Sequence, residues 1–196
     1  MKVFISVDIE GVTGVTHWDE TELSNGVYAA AAKQMTREAL AACEGAIEAG
    51  ADEIVIKDGH DSARNLDITV FPDCVKVIRG WTNTPESMMA GIDETFDAAM
   101  MIGYHSEAGS GRNPLSHTMN CGNNYVKING RRSAEFDMNT YVAAYYGVPV
   151  VFLSGDEGLC EHAKELVPAI ETVGVKNGVG SATFNLAPQK ACSLIK

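Results

Sequence analysis

Apolar residues fall along this chain in two alternating patterns: short unbroken runs, and longer stretches repeating at helical spacing. Residues 2–8 (KVFISVD) form a short, apolar, β-rich run, as expected for a buried strand of a largely parallel sheet. From about residue 26 to 49 alanine dominates, and Met35, Ala39, Leu40, Cys43, Ala46 and Ile47 recur at helical spacing before Gly50 supplies a stop. EIVIKD at 53–58 then reads as a second strand that completes a β-α-β unit.

The same rhythm predicts a strand at 75–80, a short helical stretch near 86–91 and a strand at 98–105. A Gly-rich loop at 109–114 follows. Asn129 and Gly130 stand between two β-like runs, which is the commonest signal for a two-residue hairpin. A helix at 136–146, a buried strand at 148–156 and a charged surface helix at 157–167 come next.

These elements predict one α/β domain over residues 1–196: a mostly parallel sheet flanked by helices, with an antiparallel hairpin excursion. Residues 188–196 begin like a helix and stop without a capping glycine or polar tail, so the chain is expected to be a truncated form of something longer.

Composition narrows the partners. The charge of −11 repels nucleic acid phosphates and anionic lipid, and the basic residues form no run, so neither nucleic acid nor membrane is expected. The N-terminus lacks the apolar stretch of a signal peptide, and no apolar run approaches the roughly 20 residues of a membrane span. A cytoplasmic protein is the expectation. Five cysteines without CxxC spacing argue against a disulfide framework or a thiolate zinc site, and most are expected to be buried. The glycines at 109, 111, 178 and 180 do not make a dinucleotide fingerprint, and the methionines belong to core segments.

Three clusters of potential ligands sit at the carboxyl ends of predicted strands: Asp8 with Glu10, Asp58 with His60, and His105. In open α/β sheets ligands bind at that edge. Gly11 lets the chain turn so that Asp8 and Glu10 face one ion, and Gly59 offers the same freedom before His60. Imidazole with carboxylate suits zinc and neighbouring divalent ions. A lone Asp at a strand end is more often a turn or helix cap, however, and a lone His more often a surface or core residue. Asp58 is thus either an acceptor for a metal-bound imidazole or a cap, and Asp156 either a cap or a site-edge residue. His162 is expected on a solvated helix face, and His17 in loop packing rather than on substrate.

The order of motifs adds a family resemblance. Ser6, Val7, Asp8, Ile9, Glu10 and Gly11 resemble the SxDxEG signature of the D-aminopeptidase family, peptidase M55. Further blocks match in order: Asp58-Gly59-His60, Gly103-Tyr104-His105, Ser116-His117-Thr118-Met119, and Glu135 with Asn139 and Tyr141. The resemblance implies that Asp8 bridges two zinc ions, with Glu10 and His60 on one, His105 and Glu135 on the other, and His117 as catalytic nucleophile or base. Cobalt or manganese are alternative ions. Two such ions roughly 3.5 to 4 Å apart polarise a scissile carbonyl and activate water near neutral pH.

The resemblance further implies a short peptide substrate cleaved from its N-terminus and a ring-like homo-oligomer, a decamer, whose subunits run beyond residue 196. Two other readings stay open. A dinuclear hydrolase could act on a non-peptide amide or a phosphoester, with Arg79, Arg112, Arg131 or Arg132 as clamp. A non-catalytic α/β module could hold a cation, which would leave His117 and Glu135 without a task.

Overall fold

A computed structural model describes residues 1–196. Strands β1 (Lys2–Val7), β2 (Glu53–Asp58), β3 (Val75–Ile78), β4 (Ala98–Tyr104), β7 (Val150–Asp156), β8 (Glu171–Val179) and β9 (Ala182–Asn185) form one sheet, in the order β3-β2-β1-β4-β7-β8-β9. Every pairing is parallel except β8 with β9, which run antiparallel at the edge. The alternation of side chains along β1 decides what each face packs against. Val3, Ile5 and Val7 join the cluster formed with Met35, Ala39 and Cys43 of α1 (Tyr28–Glu48) and with Ala191 and Ile195 of α4 (Pro188–Ile195). Phe4 joins the opposite cluster, which contains Phe136 and Ala143 of α2 (Glu135–Tyr145) and Leu159 and Ala163 of α3 (Glu157–Leu166). The result is a three-layer sandwich with helices on both faces.

The predicted hairpin is present as β5 (Lys127–Ile128) and β6 (Arg131–Arg132). Asn129 and Gly130 take φ of 52° and 83°, the left-handed pair that a tight hairpin turn requires. The predicted helical stretch near 86–91 is only a 3-10 turn, Ser87–Met89. The β8-β9 hairpin was not predicted at all. Its strand β8 carries Gly174, Gly178 and a buried Lys176, which break the apolar run that marks the other strands. Of the cysteines only Cys43 and Cys160 are buried; Cys74 and Cys192 are half-buried and Cys121 is exposed, so the expectation of a mostly buried set fails. No helix is long and apolar enough to cross a membrane.

The strand order places the site. From β1 the chain builds outward through β2 to β3, then returns to lay β4 on the other side of β1. The connections at the carboxyl ends of β1 and β4 therefore diverge and leave a crevice, the switch point at which open α/β sheets bind ligands.

Candidate metal centre

Asp8 follows β1 and His105 follows β4, so the switch point itself puts these two side chains together. Past Asp8 the strand gives way to a turn closed by Val12 N–H on Ile9 O (3.1 Å), which brings Glu10 to the same side as Asp8. Gly11 has another task than the freedom to turn. It donates to Gly103 O at 2.8 Å, and a Cβ there would stand 1.7 Å from Tyr104 O. Close approach of two backbones is what demands glycine. His60 lies just past β2, and Glu135 opens α2. His117 comes from the loop between β4 and β5, where its ring stacks on that of His105 at 4.1 Å.

All six positions singled out for chemistry converge. Nδ1 of His60 is 3.3 Å from Asp8 Oδ1 and 3.1 Å from Glu10 Oε2. Nε2 of His105 is 3.5 Å from both Asp8 Oδ2 and Glu135 Oε1, and Nε2 of His117 is 3.5 Å from Glu135 Oε1. One oxygen of Asp8 thus faces His60 and the other His105. Ligands about 2.0 to 2.1 Å from a tetrahedral ion lie roughly 3.3 to 3.4 Å from one another, which matches these spacings.

The far nitrogens explain the orientation of the rings. His60 Nε2 donates to Thr21 O (2.8 Å), His105 Nδ1 to Ser106 O (3.0 Å) and His117 Nδ1 to Leu115 O (2.9 Å). The other nitrogen of each ring is thereby turned towards carboxylate oxygen, an arrangement stable only with a cation or proton between them. Glu10 Oε2 and His105 Nε2 are buried and make no hydrogen bond. Side chains of this type and spacing fit divalent metal ions. The groups Asp8-Glu10-His105 and His105-His117-Glu135 each place their ligand atoms within 4.8 Å of one another.

The field inside the cluster is strong. Burial lowers the pKa of His60, but Glu10 and Asp8 outweigh it and push it up to about 12. Burial is likewise outweighed at His105, where Glu135, Asp8 and Glu10 raise the value to about 10. Burial raises Asp8 to about 7, with the charge of Glu10 adding to it. His117 moves the other way, its pKa lowered by burial and by the neighbouring His105. Three carboxylates in one buried site thus favour positive charge beside them.

All of these side chains but that of His105 border a cavity of about 410 Å³, walled on its other sides by Trp18, Trp81 and Met88. No arginine or lysine lines it. Trp81 was not singled out from sequence, and no motif marks it; its indole donates to Asp61 O at 2.7 Å.

A family model for D-aminopeptidase, peptidase M55, matches residues 1–196. The chain belongs to the peptidase M55 family. As a member of a peptidase family it is a hydrolase. It is 36% identical to the D-aminopeptidase of Bacillus subtilis over 198 residues, an alignment spanning 100% of this chain and 71% of that protein. A solved Bacillus subtilis structure, described as a Zn-dependent D-aminopeptidase and self-compartmentalizing protease, superimposes with a TM-score of 0.94 at 34% identity, again over 100% and 71% of the two chains.

Asp58 is neither an acceptor for the His60 ring nor a cap of the turn that follows it: it ties down the loop at 65–66, accepting from Asn65 N (2.6 Å), Asn65 Nδ2 (2.7 Å) and Leu66 N (2.9 Å). Asp156 caps α3 through Leu159 N (2.9 Å). His17 caps the 3-10 turn Trp18–Glu20 and lies outside the cavity lining. His162 corrects the sequence reading. Its side chain is only 14% exposed and its Nε2 donates to the buried Asp137 at 2.7 Å, because α2 packs beside α3. The four arginines weighed as a clamp lie elsewhere: Arg112 pairs with Glu161, Arg131 with Asp137 and Glu165, Arg132 stacks on Tyr125, and Arg79 reaches Arg64 O.

Proposed function

We propose that this chain is a zinc-dependent aminopeptidase that removes N-terminal residues, D-amino acids among them, from short peptides at a site for two divalent ions. What carries the reading is Asp8, whose two oxygens face imidazole nitrogens from two different strand ends. Asp8 would bridge, Glu10 and His60 would complete one ion's shell, and His105 and Glu135 the other's. Zinc is favoured by the imidazole-carboxylate donor set and by the zinc dependence of the Bacillus subtilis relative. By formal counting, three carboxylates around two dications leave about one positive charge, suited to a developing oxyanion.

Ions held there supply Lewis-acid polarisation of the scissile carbonyl and a nucleophile at neutral pH. The protein's own groups do the rest. His117, with Nδ1 committed to Leu115 O, presents Nε2 as a base that accepts the proton of the nucleophile and returns it to the leaving amine. Trp18 meets the His117 ring edge-on at 5.3 Å and limits its rotation. A peptide is favoured over a phosphoester because the cavity offers no guanidinium or ammonium to a phosphate.

The relative's self-compartmentalizing description supports a homo-oligomer for this chain as well. Sedimentation velocity should give a species well above 20.9 kDa. Metal content per chain, measured with hydrolysis of D-Ala and L-Ala dipeptides, tests the function. Two ions with selective cleavage are expected; a protein that holds no zinc, cobalt or manganese and leaves both peptides intact would falsify the proposal.

A further inference from the structure

Behind the metal centre lie four buried polar side chains that the chemistry above does not use, Lys176, Asn113, Asp156 and Ser106, and none of them lines the cavity. Lys176 on β8 is 2% exposed, and its Nζ donates to the carbonyls of Glu10 and Val15, both at 2.5 Å. Asn113, 3% exposed, donates from Nδ2 to the same Glu10 carbonyl at 3.1 Å and to Asp156 Oδ2 at 3.1 Å. Asp156 in turn accepts from Ser106 N at 2.7 Å and from the Ser106 hydroxyl. The carbonyl of that same Ser106 receives the Nδ1 proton of His105. A continuous path of buried groups thus joins Glu10 to His105, which the proposed function assigns to different ions.

A purely structural role fits this path poorly. A buried ammonium with no carboxylate partner in contact costs several kcal/mol of desolvation, and an apolar side chain of similar volume would hold β8 more cheaply. Two separate side chains also converge on one main-chain carbonyl, that of Glu10, and fix the backbone from which its carboxylate side chain springs. We infer that Lys176 and Asn113 are positioning residues which, with Asp156, hold Glu10 and His105 in a fixed relation so that both halves of the metal centre form together. This inference rests on the two-ion reading of the site.

Asn113→Ala and Lys176→Met test it by cobalt titration of the metal-free protein, read by calorimetry and by the visible absorption of bound cobalt. Removing a partner that orients a metal ligand costs about 10- to 100-fold in affinity, and that loss is expected here, with an altered cobalt spectrum. Thermal melts of the metal-free variants report any merely structural effect. Lowered melting with unchanged cobalt affinity and spectrum overturns the inference. Asn113→Ala decides the matter alone if Lys176→Met does not fold, since it removes hydrogen bonds without deleting a buried charge. If the parent protein takes up two ions and the variants match it, only this inference falls; if the parent takes up none, the metallopeptidase reading falls with it.

Discussion

Two residues near the switch point show how narrowly single positions are constrained. At Gly11 a methyl group would stand 1.7 Å from Tyr104 O, so Gly11→Ala must push the segment after β1 away from β4. The expected loss is about 3 kcal/mol or more in urea unfolding, accompanied by weaker metal retention. Stability equal to the parent's would show that the close approach relaxes at little cost. His117 is constrained by chemistry instead. His117→Ala should lower kcat by about 10²- to 10⁴-fold, the usual contribution of a positioned proton-transfer group, while metal content stays unchanged. Loss of an ion from that variant would identify His117 as a ligand, which its 3.5 Å approach to Glu135 also allows geometrically.

Among the elements, α2 matters most because its first residue is Glu135. Asp137 fixes that helix start by accepting from Ala134 N at 2.8 Å, and His162 of α3 braces Asp137. The hydrogen bond and charge of Asp137 raise the His162 pKa. A raised folded-state value means that the stabilising interaction is fully present below the unfolded pKa of about 6.5 and is lost as pH rises through the folded value. The melting temperature of His162→Gln should therefore fall furthest below the parent's at about pH 6 and approach it at alkaline pH; a pH-independent gap would contradict this. Helix α3 also shows where sequence reading stops: its charged pattern was legible, but the partner that buries His162 arrives from α2. β1, β2, β4 and β7 were readable because parallel strands covered on both faces are nearly continuous apolar runs. β8 was not, since its glycines pack against Glu157 and Arg112 and its lysine turns inward to carbonyls, all consequences of tertiary contact.

For the molecule as a whole, the site sits where distant strands end, and this made Asp8, Glu10, His60 and His105 visible as candidates from their positions alone. Glu135 at a helix start and His117 in a loop carry no such mark, and only the resemblance to a family brought them in. Asn113 and Lys176 had no signal at all, because their role is to bond to backbone carbonyls. Removal of metal should be felt throughout the fold. A ligand at about 1,000 times its Kd stabilises by about 4 kcal/mol, which for a chain of this size corresponds to roughly 10 °C in Tm. Scanning calorimetry with and without chelator should show a shift of that order, and coincident melts would argue against a tightly held ion. Asp8 sharpens the expectation. Under the two-ion proposal, a carboxylate turned to both sides would be oriented by whichever cation arrives first, and the second would enter a partly prepared seat. Uptake should then be cooperative, with singly loaded protein scarce across the titration, and an enzyme short of zinc would divide into full and empty molecules rather than half-filled ones.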